Sequence, residues 1–108
     1  MDMRRIIKVP SVIQVGGHTY SIVLSDSLYA GGDDASVNRI TQRIQVASSL
    51  PASERWAGLI HEFLHAINNI YCHHSLNEQE IEGVSEGFNQ IISQLGITLD
   101  WREIKHIK

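Results

Sequence analysis

Residues 51–71 read Pro51-Ala52-Ser53-Glu54-Arg55-Trp56-Ala57-Gly58-Leu59-Ile60-His61-Glu62-Phe63-Leu64-His65-Ala66-Ile67-Asn68-Asn69-Ile70-Tyr71. Trp56, Leu59, Ile60, Phe63, Leu64 and Ile67 recur at three- and four-residue spacing, which predicts an amphipathic helix of roughly five turns. Pro51 suits the first helical position, where a missing N–H removes no bond. The helix should end near Tyr71-Cys72. With Ile60 at zero and about 100° per residue, the apolar arc runs from roughly −100° to +40°. His61 and His65 fall near about 100° and 140°, and Glu62 further round at about 200°. The two histidines therefore flank the core as a cleft wall does, neither filling it nor fully solvated.

A second helix follows. Asn77-Glu78-Gln79-Glu80 has the form of an N-cap with a capping-box glutamate three residues on. Ile81, Val84, Phe88, Ile91, Ile92 and Leu95 mark its apolar face, and Gly96 suits its C-terminal stop. Before residue 51 the pattern changes to strands. Ile6-Ile7, Val9 and Val12-Ile13 are β-branched runs interrupted by Pro10, as in an edge or broken strand. Gly16-Gly17 signals a turn, and residues 18–24 read as a second strand. Residues 25–34 form a loop ending in Gly31-Gly32-Asp33-Asp34. A hairpin is expected around Asn38 to Gln42, followed by the strand Gln42 to Ala47, in which Ile44 and Val46 share one face. The tail, Ile97 to Lys108, has no clear assignment. The whole is α+β: a small N-terminal antiparallel or mixed sheet packed on two long helices.

The 108 residues fit one domain, residues 1–108. A hydrophobic fraction of 43% with 19% charged residues is that of a globular protein. The net charge of −3 provides no electrostatic footprint for nucleic acid or an anionic membrane. The single cysteine, Cys72, excludes an internal disulfide. No apolar run has the length of a signal peptide or membrane span, so the expected location is the cytoplasm.

The chemistry lies in His61-Glu62-Phe63-Leu64-His65. Histidines four apart sit one helical turn above each other, so both imidazoles can aim a nitrogen at one ion. Zinc accepts imidazole nitrogen readily, and a catalytic zinc site uses three protein ligands and one water. In H-E-x-x-H the glutamate stands beside that water as its base, here Glu62. The plain alternative is a helix with two surface histidines, but a chance H-E-x-x-H in so short a chain is rare, well under ~1%. A third ligand is expected on the second helix. With Phe88 at zero, Glu82 falls near about 120° and Glu86 near about 160°, both beside the apolar arc. If the two arcs pack together, Glu82 approaches the histidines. Glu86 then stands one turn away, suited to hydrogen-bonding the far nitrogen of a ligand histidine. Glu78 and Glu80 read as solvated.

These motifs together, His61 to His65 followed by Ile81-Glu82-Gly83-Val84-Ser85-Glu86-Gly87-Phe88, resemble the gluzincin zinc metallopeptidases, and the stretch Gly32 to Ile67 resembles the short minigluzincins of bacteria and phages. In the thermolysin-type pattern N-E-x-x-S-D-x-F, Glu82 matches the ligand glutamate, Ser85 the serine, Glu86 the aspartate and Phe88 the aromatic. Ile81 replaces the asparagine. The resemblance implies a zincin-like fold and peptide-bond hydrolysis, with Glu62 taking a proton from a zinc-activated water and delivering it to the leaving amine. It also implies that the strand Gln42 to Ala47 lines the cleft and pairs with an extended peptide substrate. Tyr71, His73, His74 and His106 all remain open as the oxyanion-stabilising group.

Other ligand sets fit less well. The metzincin pattern needs glycine at 68 and histidine at 71, where this chain has Asn68 and Tyr71. Cys72 lies downstream of the motif, whereas the deformylase cysteine lies upstream. Two functional readings follow: an active zinc endopeptidase, or a zinc-containing binding or regulatory module that cleaves little. A latent enzyme, with the tail around Trp101 to His106 folded over the cleft, is a variant of the first.

Overall fold

The computed structural model describes residues 5–28 and 34–108; Gly31, Gly32 and Asp33 of the expected loop lie outside them. Chain order is β1 (Arg5–Lys8), β2 (Val12–Val15), β3 (His18–Ser25), β4 (Ala35–Asn38), β5 (Arg43–Ala47), α1 (Ala52–Tyr71), α2 (Glu78–Gln94), β6 (Ile97–Asp100) and β7 (His106–Ile107). The α+β class, the mixed sheet and the two long helices are as the sequence reads. The break at Pro10, the Gly16-Gly17 turn and the hairpin between β4 and β5 are also present. Pro51 is the N-cap of α1 rather than its first helical residue.

The main sheet has the order β2-β3-β5-β4, with β7 also paired to β3. β3 runs parallel to β5 and antiparallel to β2, and β4 runs antiparallel to β5. Alternation places Tyr20, Ile22 and Leu24 of β3 and Ile44 and Val46 of β5 in one core with Leu59 and Ala66 of α1. Two expectations are corrected here. The strand at 43–47 is internal, bonded to β3 on one side and β4 on the other, so it has no edge for a peptide. The strand that ends the order is β4. The sheet is also not purely N-terminal: β1 leaves it to pair in parallel with β6, and β7 joins it from the C-terminus.

The tail is a core element, contrary to a free segment folded over the cleft. Trp101 and Ile104 are 5% and 4% exposed and pack in the main core. The Arg55 guanidinium lies 5.8 Å from the Trp101 ring centroid and donates to the carbonyls of Ser48 and Leu50. One side chain thus fastens the start of α1 to both the preceding turn and the tail.

α1 is covered on two sides, by the sheet and by α2. Its buried set extends to Glu62 and Asn68, beyond the apolar arc. At Gly58 an added Cβ would stand 3.2 Å from the Ala35 side chain, so β4 passes close over α1 at the turn preceding the histidines. α2 carries the expected capping box: Asn77 Oδ1 accepts from the Glu80 amide, and Glu80 Oε1 accepts from the Asn77 amide. Its buried residues are Ile81 and Ser85, with Ile92 and Asn89 half-buried, while Val84, Phe88, Ile91 and Leu95 are exposed. The face turned to α1 is therefore rotated by roughly 60° from the apolar arc centred on Phe88.

The Arg102 side chain and amide hold the Asp100 carboxyl down to about 2. The associated stabilisation is present above the ordinary carboxylate range and is lost as pH falls through about 2. An NMR titration should find the Asp100 midpoint near 2, and Arg102→Ala should return it toward 3.8. An unchanged midpoint in the variant would contradict the assignment.

Candidate metal centre

The site begins with Asn68, a polar side chain only 5% exposed. Its amide nitrogen donates to the Leu76 carbonyl at 3.0 Å, and its carbonyl oxygen accepts from the Leu76 amide at 3.0 Å. Its backbone carbonyl also accepts from the amides of Cys72 and His74. The whole connection between the helices is thereby folded onto one residue. His73 and His74 turn the chain through left-handed backbone, φ 51° and 60°. Such conformations cost on the order of 1 kcal/mol each, offset here by the Asn68 bonds. α2 then starts one residue after its cap, antiparallel to α1, with Glu78 opposite the two histidines.

There the three side chains converge. His61 Nε2 lies 2.8 Å from Glu78 Oε1, and His65 Nε2 lies 3.1 Å from Glu78 Oε2. The two Nε2 atoms are 3.1 Å apart, with the rings tilted by 58°. The histidine side chains are 25% and 30% exposed, the half-buried state expected of a cleft wall. Edges of a zinc tetrahedron with nitrogen and oxygen ligands measure about 3.3 Å. Two imidazoles and one carboxylate at near-tetrahedral separations fit a divalent zinc ion by size and by donor type.

Glu78 is exposed, as the sequence reads it, but its carboxylate is the one that meets both histidines, where the sequence expects Glu82. The rotation of α2 accounts for the difference. With the buried direction near Ile81 and Ser85, Glu78 lies about 20–40° from its centre and Glu82 about 60–80°. Glu82 is exposed and lines the adjoining cleft with Glu86, one turn on. The signal for Glu78 was present in its seven-residue offset from Ser85, which puts both on one face of α2.

The cleft encloses about 420 Å³ between α1, α2 and the start of β4, and its walls include Ala35, Gly58, His61, Glu62, Ser85 and Glu86. Glu62 is 7% exposed. The sequence placed it far from the apolar arc; the passage of β4 over Gly58 buries that side of α1. Glu62 and His61 therefore border the same space from consecutive positions of one helix, with His65 and Glu78 just outside its lining.

Other sequence candidates are placed elsewhere. Cys72 is a half-buried free thiol that caps α1 and is not part of the converging group. His74 Nε2 lies 3.1 Å from Arg39 Nη1, which also donates to Asn69 at 2.8 Å. His106, on β7, pairs with Asp26. Neither these nor Tyr71 or His73 are among the described residues lining the cleft. No helix among the described residues is long and apolar enough to cross a membrane. No family model, curated protein or solved structure matches the chain.

Removing the Glu78 carboxylate should weaken zinc binding more than removing that of Glu82. Competition titrations should show Glu78→Gln losing at least ~100-fold in affinity and Glu82→Gln less than ~10-fold. The reverse order would move the ligand to Glu82. Asn68→Ala leaves the Leu76 amide and carbonyl without their partner. It should lower the unfolding free energy by about 1–3 kcal/mol. Its zinc affinity should fall as well, although Asn68 touches no ligand atom.

Proposed function

We propose that this chain is a zinc-dependent peptide hydrolase with His61, His65 and Glu78 as metal ligands and Glu62 as the general base. The observation that carries the reading is the convergence of both H-E-x-x-H imidazoles on a carboxylate of the next helix, beside a cleft that the intervening Glu62 also lines. Three protein ligands leave one zinc position for water, the pattern of a catalytic rather than a structural site. The resemblance to gluzincins supports the two histidines and Glu62 in these roles, though its pattern puts the third ligand at Glu82; a mixed sheet with two antiparallel helices is compatible with it. In this assignment Glu82 and Glu86 are cleft carboxylates. Glu86 is suited to orienting a ligand histidine, and Glu82 stands where that family's pattern puts its ligand.

Zinc, when bound, supplies a Lewis acid that lowers the pKa of water to about 7. The remaining work falls to the chain. Burial shields Glu62 from bulk water, so its carboxylate exchanges protons chiefly within the cleft. As general base it takes a proton at its carboxylate oxygen during attack on the peptide carbonyl, then returns it to the leaving amine. β4 offers an extended substrate the end of the sheet, and Ala35 places that strand directly on the cleft.

A second reading rests on one specific observation. Among the described residues lining the cleft, none of Tyr71, His73, His74 and His106 is present to stabilise an oxyanion. A zinc-containing binding module with little hydrolysis is consistent with that. Zinc stoichiometry and peptide-library cleavage, measured together, separate the two. The hydrolase reading predicts that Glu62→Gln keeps one zinc per chain and loses at least ~100-fold in cleavage rate. Zinc-loaded wild type that cleaves nothing in the library would leave only the module.

A further inference from the structure

Four carboxylates border the cleft beside the metal group: Asp34 ahead of β4, Glu62 on α1, and Glu82 and Glu86 on α2. They come from three separate elements, so they are not the solvated face of one helix. Among the described residues that line the cleft there is no lysine or arginine, no large aliphatic side chain and no Phe, Tyr or Trp. An apolar side chain entering it would bury little area, although most ligand pockets bind through such surface. Among the described residues nothing pairs with the side chains of Asp34, Glu82 or Glu86. Ser85 is an independent feature of the same wall. It is 5% exposed and borders the cleft, and its hydroxyl has no partner among the described residues. Ser93, by contrast, closes its hydroxyl onto the Gln90 carbonyl. A hydroxyl held almost out of water without a partner is costly unless a ligand completes it. That ligand is not a second metal ion. Among the described residues only His61, His65 and Glu78 bring three ligand atoms within 4.8 Å of one another. The cleft carboxylates are spread too widely for three of them to share an ion, and they suit a larger cation with several donors.

We infer that the cleft receives a lysine or arginine side chain of a bound peptide. Ammonium and guanidinium groups donate hydrogen bonds and accept none. Asp34 from the β4 side and Glu82 and Glu86 from α2 supply charged acceptors, and Ser85 Oγ supplies a neutral one. The small residues Ala35, Ala57 and Gly58 leave room for the aliphatic stem of either side chain. The enclosed volume of about 420 Å³ falls within the ~300–1,000 Å³ of sites that hold small ligands. Recognition of this kind is electrostatic rather than hydrophobic. It is therefore selective and salt-sensitive, with modest strength per contact. Placing the basic residue next to a scissile bond rests on the hydrolase reading; its binding in the cleft does not.

Peptides blocked at both ends and differing only in a central lysine, arginine, norleucine or glutamate test it. Binding to the zinc-loaded full chain is read by fluorescence anisotropy, and cleavage by mass spectrometry. The lysine and arginine peptides should bind at least ~10-fold tighter than the norleucine peptide, and added salt should shrink that ratio. Asp34→Lys/Glu82→Lys, both at exposed positions, should turn the preference toward the glutamate peptide with an unchanged circular dichroism spectrum. Ser85→Ala should lose ~3-fold or more of the lysine preference without loss of thermal stability, which a purely structural hydroxyl would not give. Lysine-selective binding without cleavage would uphold the cleft's ligand while ending the hydrolase reading. Equal binding of the lysine and norleucine peptides would overturn the proposal. So would a preference that survives Asp34→Lys/Glu82→Lys, or binding that requires a free N-terminus, which would give the acceptors to the terminal amine.

Discussion

The pairing of the Asn68 amide with both backbone groups of Leu76 is the contact on which the site depends. α1 presents His61 and His65 whether or not α2 is in place, because their one-turn spacing is a property of the helix alone. A third ligand must come from elsewhere in the chain, and only a fixed connection can set it opposite the pair. Asn68 provides that from inside α1. Its side chain takes one donor and one acceptor from Leu76, and its carbonyl gathers the amides of Cys72 and His74. The capping box at Asn77 and Glu80 then starts α2 at a defined residue. Local hydrogen bonds thus determine where a carboxylate stands seven residues beyond the end of α1.

Much of this was legible in the sequence. Both helices, the capping box, the terminal glycine and the broken first strand are local features, set by periodicity, side-chain caps and backbone restrictions within a few residues. The half-buried state of the histidines followed from their position beside the apolar arc. The parts that were not legible are those in which one element is shared by two partners. Periodicity reports that α2 has an apolar arc, but not that Ile81 and Ile92 go to α1 while Phe88 and Leu95 go outward. The rotation by roughly 60° that sets Glu78 against the histidines follows from that division. The same holds for the sheet. The clear alternation at 43–47 marked a strand but could not show that β3 and β4 flank it, leaving β4 to border the cleft. The tail carried too little pattern to be assigned, although Trp101 and Ile104 complete the core.

Glu62 shows how burial and chemistry are joined. On an isolated helix it would lie outside the apolar arc, about as far from its edge as His61. Gly58 lets β4 approach α1 within side-chain contact of Ala35, and the sector containing Glu62 becomes interior. Glu62, 7% exposed, stands one position after His61 on the same helix and borders the same cleft. α2 likewise divides its faces, with Glu82 and Glu86 lining the cleft and Val84, Phe88, Ile91 and Leu95 exposed.

The central claim is that His61, His65 and Glu78 form one metal centre. The most direct measurement is a crystal structure of the zinc-loaded chain with the ion located by its anomalous scattering. The account predicts a single ion bonded to His61 Nε2, His65 Nε2 and a Glu78 oxygen, in the cleft that Glu62 lines. An ion held by Glu82 or Cys72 in place of Glu78, or zinc bound away from the two histidines, would contradict it.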